Sequence, residues 1–258
     1  MTRFSANLGF LWAECALDEA VRLAARHGFD AVECHWPYDM PAERISSVLA
    51  ETGLEMISLN TRRGDVQAGE MGLTALPGRQ AEARDAIDEA VSYAQAVRAG
   101  AIHVMAGQAE GTAAHQVFAD NLSYAAEAAQ NAGKIILIEP LNPVDNPGYF
   151  LNSLPQARQV IDDVGADNIR LMFDIYHIQR ISGDICTSLS DNMDIIGHIQ
   201  FASPPMRGAP DKGELNFEMI FSHIDSLGYH RPLGAEYRPD HGNTEASLAW
   251  LPTLRKQA

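Results

Sequence analysis

Four oxygen-bearing side chains close four successive apolar runs in the second half of the chain. Glu139 follows Ile135-Ile136-Leu137-Ile138, Asp174 follows Leu171-Met172-Phe173, Gln200 ends the run that starts at Ile195, and Glu236 follows Leu233-Gly234-Ala235. Three carboxylates and an amide oxygen form a hard, all-oxygen donor set of the kind Mg²⁺ or Mn²⁺ prefers. Brought together without a cation, three carboxylates would repel one another and at least one would take up a proton. One divalent cation held by Glu139, Asp174, Gln200 and Glu236 is therefore expected. The competing reading pairs some of these acids with arginines such as Arg170 or Arg238. A cation flanked by acids suits the interconversion of an α-hydroxy aldehyde and an α-hydroxy ketone. The cation polarises the carbonyl and stabilises the enediolate, and a carboxylate removes the carbon-bound proton while a group across the substrate delivers one.

The same placement recurs along the whole chain. Asn7, Glu33, Asn60 and His103 also stand near the ends of apolar runs, so that eight polar residues occupy one relative position. Taken singly, a buried Asn is satisfied by neighbouring backbone or water and needs no function. As a ring, the eight read as a ligand site, with Asn7 and Asn60 as substrate contacts. His103, His177 and His198 are candidates to orient substrate oxygens, and His177 stands out, three residues beyond Asp174. An acidic substrate would need a local cation, and Arg62, Arg63, Arg79 and Arg238 are the arginines placed to supply one.

Eight strand-like segments can carry such a ring: residues 4–8, 31–34, 56–60, 102–105, 135–139, 169–174, 195–200 and 233–237. Between them lie stretches with apolar residues at helical spacing, among them 17–26, 87–97, 118–130 and 217–227. Gly28, Gly53, Gly133 and Gly228 stand where those helices should stop. Strands alternating with helices imply parallel pairing, because each crossover needs a helix. Eight such units in 258 residues match a closed (β/α)8 TIM barrel of a single domain, 1–258. An open doubly wound sheet would announce itself with a glycine-rich turn after the first strand, and that turn reads Gly9-Phe10-Leu11-Trp12. The connection 61–79 is unusually long, with four glycines and Pro77 before a helix begins. On a barrel it lies on the catalytic face, where it would serve as a lid or, alternatively, as a contact in a homo-oligomer.

Composition narrows the partners. Against 19 Lys and Arg stand 34 Asp and Glu, a formal net charge of −15. Such a surface repels phosphate backbones and anionic lipid, which speaks against nucleic acid and membrane as partners. Cys15, Cys34 and Cys186 are too few and too widely spaced for a disulfide framework or a Cys-x-x-Cys metal pair. The N-terminus runs into a strand-like segment without the apolar core of a signal peptide, and no apolar run reaches membrane-spanning length. The expectation is a cytoplasmic protein acting on a small molecule.

Six stretches carry a family resemblance: Gly64-Asp65-Val66-Gln67-Ala68-Gly69-Glu70 with the Gly72-Leu73 and Ala75–Arg79 pieces that follow, His103-Val104-Met105-Ala106-Gly107, Ile138-Glu139-Pro140-Leu141-Asn142, Asp174-Ile175-Tyr176-His177, His198-Ile199-Gln200 and Gly234-Ala235-Glu236-Tyr237. Together they resemble the hydroxypyruvate isomerase family of xylose-isomerase-like barrels, which includes 2-oxo-tetronate isomerases. The likeness spans essentially the whole chain, and the long third loop is its most specific part. It implies that Glu139 and Glu236 are both metal ligands and proton-transfer groups, with Asp174 and Gln200 completing the site. Position 238 is Arg where some relatives have Lys, and Arg62 lies in a variable stretch, so substrate choice is where the chain departs. The implied activity is isomerisation of a sugar acid, hydroxypyruvate to tartronate semialdehyde or a 2-oxo-tetronate. The alternatives are a ketose 3-epimerase on the same barrel, a non-catalytic sugar-acid binding protein, and a zinc phosphodiesterase of the endonuclease type, for which histidines and a basic groove are lacking.

Overall fold

A computed structural model describes residues 2–255. Its strands are β1 (Phe4–Asn7), β2 (Ala31–Glu33), β3 (Glu55–Met56), β4 (Ser58–Asn60), β5 (Ala101–His103), β6 (Ile135–Ile138), β7 (Ile169–Asp174), β8 (Ile196–Phe201) and β9 (Leu233–Ala235). All pair in parallel in one sheet, ordered β3-β2-β1-β9-β8-β7-β6-β5-β4. The two ends of that order are halves of one segment. Ile57, between them, donates to Val32 O at 2.8 Å on one side and accepts from Ala101 N at 2.9 Å on the other. Cys34 N reaches Ser58 O at 3.1 Å, so β2 and β4 are tied as well. The expected third strand is therefore present but broken at Ile57, and the nine strands form a nearly closed barrel.

The helices are α1 (Leu17–Arg26), α2 (Ala42–Thr52), α3 (Gln80–Ala96), α4 (Gly111–Asn131), α5 (Leu154–Val164), α6 (Ile175–Ile181), α7 (Ile185–Asn192), α8 (Phe217–Ser226) and α9 (Trp250–Arg255). α8 shows why they form where they do. Asn216 caps its first turn through Met219 N at 3.1 Å, and Phe217, Ile220, Phe221 and Ile224 recur on one buried face. α2 stops at Gly53, whose φ of 72° closes the helix in the left-handed conformation that glycine takes without strain. Among the described residues no helix is long and apolar enough to cross a membrane.

Two packing features bear on the site. Trp250 of α9 packs edge-on against Phe4 and Phe201, at 5.1 and 5.5 Å between ring centres. Its indole N–H reaches Tyr237 Oη at 3.2 Å, and that hydroxyl also meets Ser247 Oγ at 2.9 Å. The chain just past β9 is thus pinned, with Glu236 and Arg238 on either side of the anchored ring. Inside the barrel, side chains two residues apart on one strand face the same way. Ala101, Leu137 and Met172 form a buried apolar cluster, two residues below His103, Glu139 and Asp174.

The loop 61–79 divides into two parts. Its second half is packed: Thr74 N and Oγ1 both bond Met105 O, Ala75 N bonds Ala106 O at 2.8 Å, and Asn121 of α4 holds Thr74 O at 2.8 Å. Only the tip, residues 64–70, stands out, with exposed Val66 and an Asp65 carboxylate that accepts from Gln67 N and Ala68 N. A lid spanning the whole connection is therefore corrected to a short tip on a fixed base. At the base, Gly72 has a φ of 125° and a Cβ there would meet Met105 O at 2.4 Å, whereas Gly69 at the tip has open space. Gly72→Ala is expected to cost more than about 2 kcal/mol in urea unfolding, and Gly69→Ala only about 1 kcal/mol. Equal costs would contradict the division.

Candidate functional site

All eight ring residues are buried where the strands end. Glu139 and Glu236 sit one residue beyond β6 and β9, and Asp174 is the last residue of β7. Asp174 pairs with Gln200 across β7 and β8, and Gln200 with Gly234 across β8 and β9. Above them opens a cavity of about 320 Å³ lined by Asn60, His103, Glu139, His177, Glu236 and Arg238, among others. Phe10, His35, Trp36 and Met71 supply its aromatic and apolar wall.

The electrostatics of this mouth are dominated by its acids. Burial, then the nearby charges of Glu236 and Asp174, raises the Glu139 carboxyl well above the usual range. Asp174 is pushed up to about 7, first by burial and then, against the pull of Arg207, by Glu236. Glu236 goes the other way. Burial opposes its charge, but Arg207 and then His35 hold it below the usual carboxylate range. His35 Nε2 lies 2.9 Å from Glu236 Oε1, and Asn7 Nδ2 donates to the same oxygen at 3.2 Å. Burial keeps both inner imidazoles neutral near pH 7, His103 pushed down to about 4 and His177 to about 3.

Sequence reasoning missed His35, described above, and Arg207. Arg207 Nη2 donates to Glu236 Oε2 at 2.6 Å and to Asp174 Oδ2 at 3.3 Å. The guanidinium lies between the rings of Phe10 and Tyr176, at 4.8 and 5.0 Å from their centres. Its backbone is held at a φ of 54° in a tight turn where Ser203 and Gly208 bond each other, and Arg238 N bonds its carbonyl at 2.7 Å. A non-glycine residue in that conformation is strained and needs such fixing. The only sequence signal was a basic residue in the connection directly after the Gln200 strand. The rival expectation that arginines pair with the ring acids is thus right in kind, with Arg207 in place of Arg170 or Arg238. Arg170 instead donates to Asp194 O.

The remaining candidates separate by place. Asn60, His103 and His177 line the cavity. His177 Nδ1 accepts from Asn142 N at 2.9 Å, so in the neutral ring Nε2 carries the proton and points toward the mouth as a donor. Ligand atoms of Glu139, Asp174 and His177 lie within 4.8 Å of one another and could hold a metal ion. With Nε2 protonated, however, His177 is better suited to donate to a substrate oxygen than to ligate. Gln200 donates its Nε2 to Glu33 at 3.0 Å, and its Oε1 is buried without a partner. Glu139 Oε1 is likewise buried without one. Two orphaned oxygens beside raised carboxyls are what a cation would satisfy, so the donor set fits one.

His198 requires a correction. It does not line the cavity: two residues before Gln200 on β8, it faces the barrel interior one step lower, with Nε2 against Glu33 Oε2 at 2.5 Å. Asn7 also works from below, through Glu236. Of the arginines considered for a substrate carboxylate, Arg62 pairs with Glu89, and Arg79 with Glu82 and Glu70. Arg63 lies over the Trp36 ring at 3.7 Å and lines the cavity, as does Arg238 near Phe10.

Residues 21–254 match the family described as xylose isomerase-like TIM barrel. The chain belongs to that family. It is 42% identical to a 2-oxo-tetronate isomerase of Cupriavidus necator, over 97% of this chain and 98% of that one. It is 39% identical to the hydroxypyruvate isomerase of Escherichia coli K12, over 99% of this chain and 100% of that one. A Brucella melitensis structure named as AP endonuclease, family 2, superposes with a TM-score of 0.94 at 38% identity, covering 98% and 99% of the two chains. The chain is an isomerase of this barrel family, as the relatives' names indicate.

Metal binding and protonation compete for the same oxygens. Because Glu139 and Asp174 are raised in the folded metal-free protein, their protons favour the folded state at low pH. That contribution is lost as pH rises toward the folded values, about 7 for Asp174. A cation relieves the resulting repulsion only once the protons have left. The rise in melting temperature caused by Mn²⁺ is therefore expected to grow between about pH 5.5 and about pH 7.5. A shift that is constant or shrinks over this window would show that the ion binds elsewhere.

Proposed function

We propose that this isomerase interconverts the carbonyl and hydroxyl positions of a small sugar acid, either hydroxypyruvate with tartronate semialdehyde or a 2-oxo-tetronate with its isomer. The observation that carries the reading is 42% and 39% identity, over nearly the full length, to a 2-oxo-tetronate isomerase and a hydroxypyruvate isomerase, in a chain whose buried Glu139 and Glu236 line one small cavity. A divalent cation, Mg²⁺ or Mn²⁺, held by Glu139, Asp174, Gln200 and Glu236 would polarise the substrate carbonyl and stabilise the developing negative charge.

The chain's own residues then divide the work. Glu236, kept ionised by Arg207 and His35, is the base that takes the carbon-bound proton. Glu139, the second carboxyl lining the cavity, returns a proton drawn from solvent to the neighbouring carbon while Glu236 releases its own, and the substrate's hydroxyl proton passes to the former carbonyl oxygen. His177 donates from Nε2 to a substrate oxygen, and His103 and Asn60 contact the others. The wall of Phe10, Trp36 and Met71 excludes water from the enediolate. Arg63 and Arg238, which have no acid partner among the described residues, meet the substrate carboxylate. The acidic surface makes such a local cation necessary, because an unpaired carboxylate in a desolvated mouth is costly. Three free thiols suit a reducing, cytoplasmic setting. The acidic composition also argues against the DNA-directed activity in the Brucella protein's name.

The test is turnover of hydroxypyruvate, 2-oxo-tetronates and neutral short ketoses by metal-stripped protein to which Mg²⁺ or Mn²⁺ is restored. Glu236→Gln is expected to lower kcat by at least about 100-fold on any accepted substrate. Arg63→Met is expected to raise KM for the acid but not for a neutral ketose. C3 epimerisation of ketoses in place of carbonyl migration would overturn the reading. Binding without turnover would do so as well.

A further inference from the structure

Glu33 ends β2 and takes no part in the proton transfers above, yet it is 1% exposed and ties together Asn7, His198 and Gln200. Its Oε1 accepts from Gln200 Nε2 at 3.0 Å and from Asn7 Nδ2 at 3.1 Å, while Oε2 meets His198 Nε2 at 2.5 Å. Oε1 of Glu33 accepts in both of these contacts, so each amide turns its NH₂ toward it. For Gln200 this leaves Oε1 on the far side, buried and with no donor in reach. A buried polar atom left unpaired costs about 1–3 kcal/mol, so this oxygen is an acceptor suited to something electropositive. For Asn7, the same constraint lets Nδ2 bridge Glu33 and Glu236 while Oδ1 accepts from Gly9 N at 2.9 Å.

A second observation shows that the reach from Glu33 to Gln200 depends on a missing side chain. Gly234 is the register partner of Gln200, and a Cβ there would stand 2.5 Å from Glu33 Oε1 and 2.9 Å from Gln200 Cγ. Gly234 has no left-handed φ to account for it; what it provides is the space in which the two side chains meet.

We propose that Glu33 is a positioning residue for cation binding, selecting the orientation of the Gln200 amide that presents oxygen, rather than NH₂, to the divalent ion. The proposal rests on the metal site proposed above. The reversed amide would aim two N–H groups at the cation and its oxygen at the Glu33 carboxylate, both repulsive. Glu33 acts through Gln200 on one edge of the ring and through Asn7 on Glu236 at the other.

The test compares Mn²⁺ affinity, by calorimetry on metal-stripped protein, for the wild type, Glu33→Gln and Glu33→Asp. Glu33→Gln keeps the shape but lets the Gln200 amide turn over, and it is expected to weaken Mn²⁺ binding about 10- to 100-fold. Glu33→Asp keeps the acceptor but withdraws it by one methylene, so it is expected to lose less affinity than Glu33→Gln. A purely volumetric role would reverse that order. Wild-type affinity in Glu33→Gln, or a larger loss for Asp, would each overturn the positioning role while leaving the metal site standing. Absence of Mn²⁺ binding in the wild type would overturn both.

Discussion

The repulsion among Glu139, Asp174 and Glu236 is the constraint around which the barrel mouth is organised. Two such charges about 4 Å apart repel by roughly 4 kcal/mol at the effective dielectric of a protein interior. Burial adds the cost of removing each from water. The chain answers in three ways: two carboxyls are raised, one is held ionised by Arg207 and His35, and two acceptor oxygens are left without donors. The strained backbone of Arg207 is offset here, since removing one partner of a buried ion pair typically costs about 3–5 kcal/mol.

That asymmetry gives the mouth its chemistry. Two carboxylates in identical surroundings could not act as base and proton donor in the same cycle. Arg207 lies on the Glu236 side, with both rings beside its guanidinium, while Glu139 has the neutral imidazole of His103 beside it, 3.7 Å from Nδ1 to Oε2. The difference in environment separates the two carboxyls, which is the pattern by which enzymes assign acid and base roles. Glu33, itself one of the eight, joins the Asn7 and Gln200 amides in the space that Gly234 leaves open.

Much of this was legible in the sequence because it depends on period-two alternation and on strand ends. The eight polar residues at the ends of apolar runs mark the mouth, and α1 begins and ends at the residues that apolar spacing gives, Leu17 and Arg26. What escaped depends on long-range approach. Arg207 lies in an irregular turn with no periodicity, and nothing local shows that its side chain folds back between Phe10 and Tyr176. His198 shares strand and facing with Gln200, and only the depth of each along the barrel separates a residue in the mouth from one beneath it. The break at Ile57 was hidden because that residue satisfies both neighbouring strands. The arginines near the mouth looked equivalent in sequence, but Arg62 and Arg79 are engaged by Glu89, Glu82 and Glu70.

Whether the carboxylate cluster holds one cation, with Gln200 as its neutral oxygen ligand, is decided most directly by anomalous scattering from crystals soaked in Mn²⁺. A single strong peak is expected at coordinating distance from Glu139, Asp174, Gln200 Oε1 and Glu236, with His177 Nε2 turned to the open side. A peak bound through His177 Nε2 while Gln200 stays uncoordinated, or Glu236 still saturated by Arg207, His35 and Asn7 with no ion in the ring, would contradict it.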